Sequence, residues 1–371
     1  MGRISVLIVD DSLAARAMLK DLLAEDSGIE VIGTASDPFE AAAMMRDVLP
    51  DVLILDLELP RMNGLTFLSK IMQQNPMPVV ICSSHTEAGS KAALRALEIG
   101  ASEVIGKPRL ASAAARQEAQ ILLTDAVRAA AAVGRSKGFK NPRRTAPPPK
   151  PAPFTPGPKL TADAILPPPR KSAPMPPDLT PLIAIGASTG GTEALADLLP
   201  RLAADTPPVV ITQHMPEKFT ATFARRLDLL SKIEVREAVD GDRTAPGLAL
   251  IAPGDKHMVL RRQGRGYRVS IVDGPQVSRH RPSVDVLFRS VAIAAGSAAM
   301  GIILTGMGDD GARGLLEMRE AGAETLAQDE ASSVVWGMPG EAVRLGATGR
   351  QVPLSGIGPE ISKYIARTRN S

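Results

Sequence analysis

The sequence predicts two α/β domains joined by a proline-rich connector. The first is a five-stranded parallel, doubly wound sheet, and the second an α/β unit with a mostly parallel sheet and an antiparallel excursion. Three observations carry this prediction. The 371 residues exceed what one hydrophobic core organises. Short β-branched runs alternate with helical patterns before residue 125 and again after residue 181. Between them runs a stretch rich in proline, lysine and arginine that repeats no apolar period. The expected boundaries are a first domain over residues 1–125, a connector over 126–180 and a second domain over 181–371.

In the first domain, strands are expected at residues 4–9, 30–32, 52–55, 79–82 and 104–105. A helix carrying Met18, Leu19, Leu22 and Leu23 on one face follows the first strand, and another begins at Asp37-Pro38. Asp37 suits an N-cap, and Pro38 the first helical position, where its missing N–H costs nothing. After the connector, strands at 182–185 and 209–212 alternate with helices after Gly191 and over 217–230. Residues 248–251, 257–261 and 267–272 read as antiparallel pieces, with Gly264 and Gly266 in the turn between the last two. A helix over 283–295 then leads to a strand at 302–304, a glycine-rich loop and a further helix.

The connector, from Arg135 to Pro181, contains two Pro-Pro-Pro runs and cannot bury enough surface to fold, so it reads as a spacer. Between Arg135 and Asp178 it holds nine Lys or Arg against two Asp, which accounts for the net charge of +3 and leaves the rest mildly acidic. With the basicity confined to a connector and only 3% aromatic residues, nucleic-acid binding is not expected. Cys82 is the only cysteine, which excludes an internal disulfide and a cysteine-built metal site. No export signal precedes the first strand, and no uncharged apolar run of about 18 residues occurs, so the expectation is a cytoplasmic protein without membrane insertion.

Five polar residues fall at strand ends of the first domain: Asp10 and Asp11 after the first strand, Asp56 at the third, Ser83 at the fourth and Lys107 at the fifth. In a parallel sheet these ends share one edge, where open α/β folds bind ligands. Asp10, Asp11 and Asp56 offer hard oxygen ligands for Mg²⁺, and Asp56 can accept a phosphoryl group. Ser83 and Lys107 would bind its oxygens. A pair of Asp at a strand end is often no more than a cap, but five such groups at one edge are not explained that way. Residues 1–125 resemble the response-regulator receiver family, through VLIVDDS at 6–12, LDLELPRMNG at 55–64 and IGKP at 105–108. The resemblance implies phosphorylation of Asp56 by a histidine kinase. One departure is Val104, three positions before Lys107, where many receivers carry an aromatic residue.

In the second domain, LIAIGASTGG at 182–191 is an apolar strand running into a turn of small residues that presents Ser188 at a helix start, a seat for a nucleophile. A serine needs a base, and the chain offers His85, His214, His257 and His280. His214 follows the strand VVITQ and shares the edge of Ser188. His280 is its rival, His257 reads as a polar rim residue and His85 as a surface residue. The acid that orients the histidine lies in LTGMGDDGARG, where Asp309 and Asp310 are chemically equivalent. Met307 and Thr189 are candidates for oxyanion binding or support. A phosphate-cradling loop is the competing reading of Gly306, Gly308 and Gly311. The order Ser, His, Asp disfavours a generic α/β-hydrolase, in which the acid precedes the histidine.

That order, with IGASTGGTEAL, ITQHMP, APGD, KHM, HRPSVDVLF and ILTGMGDDGARG, resembles the catalytic domain of the CheB family of chemotaxis protein-glutamate methylesterases over residues 180–368. A receiver ahead of this domain is that family's own arrangement. The resemblance implies a Ser188, His214, Asp310 triad, with His280 in support. It further implies hydrolysis of methyl-glutamate on methyl-accepting chemoreceptors, deamidation of receptor glutamines, control through a chemotaxis histidine kinase, and no cofactor in the catalytic domain.

Overall fold

In the computed structural model, which describes residues 3–84, 86–108, 110–136, 159–169 and 178–369, the chain forms two units, Met1–Pro158 and Lys159–Ser371. The first unit alternates β1 (Ile4–Val9), α1 (Leu13–Ala24), β2 (Ile29–Ala35), α2 (Pro38–Asp47), β3 (Val52–Leu55), α3 (Gly64–Gln74), β4 (Val79–Ser83), α4 (Glu87–Ile99), β5 (Glu103–Gly106) and α5 (Ala113–Ser136). All strand pairs are parallel, in the order β2-β1-β3-β4-β5. β3 and β4 are buried along their whole length, because helices cover both faces of a parallel sheet and leave no solvated side for polar residues. Asp37 caps α2 as its position predicts, accepting from the N–H groups of Phe39 at 2.7 Å and Glu40 at 3.1 Å.

The second unit holds a seven-stranded sheet ordered β14-β13-β12-β6-β7-β9-β8, formed by β6 (Leu182–Ala187), β7 (Val209–Gln213), β8 (Glu234–Glu237), β9 (Leu248–Ile251), β12 (Ala299–Ile303), β13 (Glu324–Gln328) and β14 (Gln351–Val352). Every pairing in it is parallel. The antiparallel excursion is a separate hairpin, β10 (His257–Gln263) with β11 (Gly266–Val272). The helices are α6 (Gly191–Leu198), α7 (Phe219–Leu230), α8 (Val284–Ala294), α9 (Ala312–Glu320), α10 (Met338–Arg344) and α11 (Leu354–Arg369). Helix α8 is buried on nearly all sides, within a core that includes Met258, Leu260, Tyr267 and Val269 of the hairpin and Ala184 and Ile303 of the sheet.

Three expectations change. Residues 248–251 are not antiparallel: β9 lies between β7 and β8 in the parallel sheet, and its unbroken apolar run LALI is the pattern of a strand covered on both faces. The first unit does not stop at residue 125, since α5 continues to Ser136 with Ala126, Val127, Ala129, Ala130, Ala131 and Val133 buried. The connector also ends sooner than expected. Residues 159–166 pack on the second unit, where Ala162 and Leu166 bury against Val259, Val277 and Val286. Of the expected connector, residues 137–158 and 170–177 lie outside the described residues. No helix among the described residues is long and apolar enough to cross a membrane.

Candidate functional site

Both sheets reverse direction beside their first strand. β1 is flanked by β2 and β3, and β6 by β12 and β7, so each sheet opens a crevice at the carboxyl ends of these strands. In the first unit this edge gathers Asp10, Asp11 and Asp56, whose carboxylate oxygens lie within 4.8 Å of one another. Asp10 and Asp56 are each 1% exposed. Lys107 Nζ donates to Asp56 Oδ2 at 2.7 Å and lies 2.9 Å from Asp10 Oδ2, an ion pair without hydrogen-bond geometry. Asp56 Oδ1 accepts from Leu57 N–H at 2.7 Å, and Asp10 Oδ1 from Ser12 N–H at 2.9 Å. Burial pushes the Asp56 carboxyl up, and Lys107 draws it back. Burial likewise works to lower the Lys107 ammonium, but the hydrogen bond it donates to Asp56 and the neighbouring Asp10 carboxylate carry it above its ordinary value. Ser83 is buried at the same edge, making only a long 3.4 Å bond to Gly89 O. Asp10 Oδ2 is thus a buried oxygen with no hydrogen-bond partner beside two further carboxylates, a donor set that fits a hard cation such as Mg²⁺.

In the second unit Ser188, His214 and Asp310 follow β6, β7 and β12, three neighbouring strands at the centre of the sheet. Ser188 is half-buried between two loops. Its N–H donates to Thr305 O at 3.0 Å, and its carbonyl accepts from Gly191 N–H at 2.7 Å and Gln213 Nε2 at 3.0 Å. The glycines on either side are sterically required. Gly190 has φ +78°, and a Cβ on Gly306 would lie 2.3 Å from Met338 Sδ and 2.8 Å from Ser188 Cβ. The Ser188 N–H is therefore spent on the Thr305 carbonyl and is not a free oxyanion donor. Met307 directly follows the glycine that touches Ser188, and the carbonyl of buried Thr189 accepts from Thr305 Oγ1 at 3.0 Å. These contacts put the backbone of both beside the serine.

His214 and Asp310 meet directly, Nε2 to Oδ2 at 2.8 Å. An Nε2 held by a carboxylate carries the proton, which leaves the lone pair on Nδ1, a buried atom with no hydrogen-bond partner. Asp310 in turn sits on the amino terminus of α8. Its Oδ1 accepts from Ser283 Oγ at 2.8 Å and Asp285 N–H at 3.0 Å, and its Oδ2 from Val284 N–H at 2.7 Å. Burial raises the Asp310 carboxyl to about 6, against the pull of those donors. Burial lowers the His214 imidazole, which keeps it neutral with a free lone pair. Asp309, indistinguishable from Asp310 in sequence, points elsewhere and pairs with Lys159.

The other histidines separate by environment. His280 stacks on His214, with ring centroids 3.7 Å apart and planes 13° from parallel, and burial holds it well below the ordinary value. His257 is not a rim residue: it is fully buried, bonding Pro275 O through Nε2 at 2.9 Å and Ser283 N–H through Nδ1 at 3.2 Å. His85 lies outside the described residues. Sequence reading passed over Gln213, Ser283 and Gln328, whose Oε1 accepts from Thr305 N–H at 2.8 Å and so fixes the loop behind Ser188. Only Ser283, just ahead of a helical pattern, carried a local signal, that of an N-cap.

Comparison with known proteins agrees with this division of the chain. Residues 183–361 match the family model for CheB methylesterase, and residues 6–115 that for the response regulator receiver domain. The chain is 57% identical over 361 residues to the protein-glutamate methylesterase/protein-glutamine glutaminase of group 3 operon of Cereibacter sphaeroides, covering 97% of this chain and 94% of that protein. It is 56% identical over 358 residues to protein-glutamate methylesterase/protein-glutamine glutaminase 5 of Anaeromyxobacter dehalogenans, covering 96% of each. Among solved structures, the Thermotoga maritima CheB methylesterase catalytic domain is 35% identical, covering 49% of this chain and 97% of that one with a TM-score of 0.47.

Proposed function

The chain belongs to the CheB methylesterase family, and from that premise we propose that it hydrolyses glutamate methyl esters on chemoreceptor proteins in the cytoplasm, under control of phosphorylation at Asp56. The observation that carries this reading is the chain of contacts from the α8 amino terminus through Asp310 to His214, which ends on a buried, unpartnered Nδ1 in a residue whose backbone N–H bonds Ala187 O, next to Ser188. Ser188 Oγ attacks the side-chain ester carbonyl while its proton passes to His214 Nδ1. Asp310 stabilises the imidazolium and holds its orientation. Backbone donors near Met307 and Thr189 steady the oxyanion. Collapse of the tetrahedral intermediate expels methoxide, which leaves as methanol with the proton from His214. Water, deprotonated by the same nitrogen, then releases the glutamate and frees the serine.

The same sequence of steps acts on a glutamine side chain with ammonia as leaving group, in keeping with the double name of the relatives. In the first unit Asp56 is the phosphoryl acceptor, served by a chemotaxis histidine kinase, and Ser83 and Lys107 bind the phosphoryl oxygens. Asp10, Asp11 and Asp56 would hold Mg²⁺, whose charge neutralises the phosphoryl group in transfer. Methanol release from methylated receptor tests the whole reading. Ser188→Ala is expected to be inactive, and Asp56→Asn to keep basal hydrolysis but lose stimulation by a small phosphodonor. An alanine variant as fast as wild type would refute the triad, and undiminished stimulation of the asparagine variant would refute the control.

A further inference from the structure

The first described residues after the connector touch two loops that neighbour the triad. Lys159 pairs with Asp309, the neighbour of Asp310 in the 306–311 loop. Leu160 O accepts from Ser278 N–H at 2.9 Å. Ser278 and Arg279 hold φ of +50° and +69°, a left-handed backbone that is strained for non-glycine residues and persists only when its surroundings hold it. That turn presents His280, the ring stacked on His214. Beyond Leu160, Thr161 opens a single 3₁₀ turn, and Ala162 and Leu166 bury against Val259, Val277 and Val286. Arg289 of α8, itself nearly buried, closes the segment by donating to Asp163 Oδ1 at 2.5 Å and Leu166 O at 3.0 Å. Such anchoring fixes the segment far more firmly than an isolated surface ion pair could.

We propose that residues 159–166 are a positioning strap for the triad, with Lys159 a positioning residue that acts through Asp309 and Leu160 the bond that holds the His280 turn. The strap rests on the triad reading above and extends it: the end of the connector is fastened to both loops that set the His214–Asp310 pair. Lys159 offsets the charge of Asp309. The charged and titratable groups around that carboxylate are Asp310 in its own loop, Asp285 of α8, His280 in the turn and Arg344 of α10, and His280 in turn faces His214 and Arg279. With a neutral residue in place of Lys159, the Asp309 charge bears on the pair without its counter-ion, raises the pair's affinity for protons and moves the acid limb of the rate profile to higher pH.

The test is methanol release by the full-length protein, measured across pH for wild type, Lys159→Met, Lys159→Arg, Asp309→Asn, Lys159→Met with Asp309→Asn, and Ser188→Ala. Lys159→Met is expected to lower kcat roughly two- to fivefold, the scale of a partly exposed ion pair, with KM little changed and the acid limb shifted upward. Lys159→Arg should restore both, and Asp309→Asn should return the acid limb of the methionine variant toward wild type. Unchanged kcat and acid limb in Lys159→Met, while Ser188→Ala is dead, would overturn the strap and leave the triad standing. Effects of Lys159→Met and Asp309→Asn that simply add would overturn the route through Asp309. An active Ser188→Ala would remove the triad and the strap together.

Discussion

At Asp310 a carboxylate that is 1% exposed has to stay ionised, and neutral donors alone do this work. Two N–H groups at the start of a helix and the Ser283 hydroxyl point at its two oxygens, where the positive end of the helix dipole favours negative charge. Burial still wins in part, leaving the carboxyl raised to about 6. The sign of the consequence follows. Above that pH the carboxylate is charged and can stabilise the imidazolium. Below it the carboxyl takes up a proton and the stabilisation is lost. Hydrolysis by wild type is therefore expected to be level above about pH 7 and to fall from about pH 6, far above the ordinary aspartate range, and a profile level down to pH 4.5 would contradict it. Asp310→Asn replaces one acceptor oxygen with a donor facing Val284 N–H or His214, and kcat should drop by roughly 10³–10⁴ on the level part of the profile, with a smaller difference below about pH 6.

Helix α8 is the element that ties core to chemistry, since the residues it buries seat the hairpin on the sheet and its first turn holds Asp310. Ser283 joins the two roles, donating to Asp310 Oδ1 at 2.8 Å and accepting from Val286 N–H at 3.4 Å. Ser283→Ala is expected to cost about 1–2 kcal/mol in denaturant unfolding and to lower kcat by less than Asp310→Asn does, because two N–H donors remain. A Ser283→Ala variant with full activity would show that those donors suffice. The hairpin makes a different demand. Arg261 and Arg268 face each other across β10 and β11, and Arg243 bridges to Arg268 from the other side, so three exposed arginines stand in a row. Like charges directly opposed are destabilising. Arg268→Glu should stabilise the protein by about 0.2–1 kcal/mol at low salt, a gain that shrinks as salt is added; a gain independent of salt would point away from charge. The elements most legible in sequence were those whose burial is written locally: the apolar strands of both sheets, the Asp37-Pro38 helix start, and Ser188 and His214 at strand ends. β8, β13 and β14 were passed over because edge or charged positions such as Glu234, Arg236 and Glu324 break the apolar pattern. The 159–166 strap was hidden because its partners, Val259, Val277 and Val286, lie about a hundred residues further on, and nothing local shows that Ala162 and Leu166 are buried.

On the scale of the whole molecule, each unit has its own sheet, core and crevice, and the charges at the two crevices are of different kinds. In the first, three carboxylates crowd one edge, with Lys107 close to two of them. Like charges held together make the folded state less favourable until a cation is bound. In the second, Asp310 and Asp285 are each served by hydrogen-bond donors. Residues in the second unit that would draw a divalent cation are not gathered into any comparable group among the described residues. Mg²⁺ should therefore act on one unit only. A ligand that binds the folded state stabilises it by mass action, by about 2.7 kcal/mol at a hundredfold excess over its dissociation constant, or roughly 10 °C in melting temperature for a domain of this size. Calorimetry of the full chain is expected to show two transitions, only one of which rises with Mg²⁺ and falls back with a chelator. Asp10→Asn should reduce that rise and leave the second transition in place. Methanol release without phosphodonor should be the same with and without the metal, while stimulation by a phosphodonor should need it. A single transition, or two that shift together, would mean that the units are thermodynamically one. Metal-dependent basal hydrolysis would mean that the second crevice does not work by its own side chains alone.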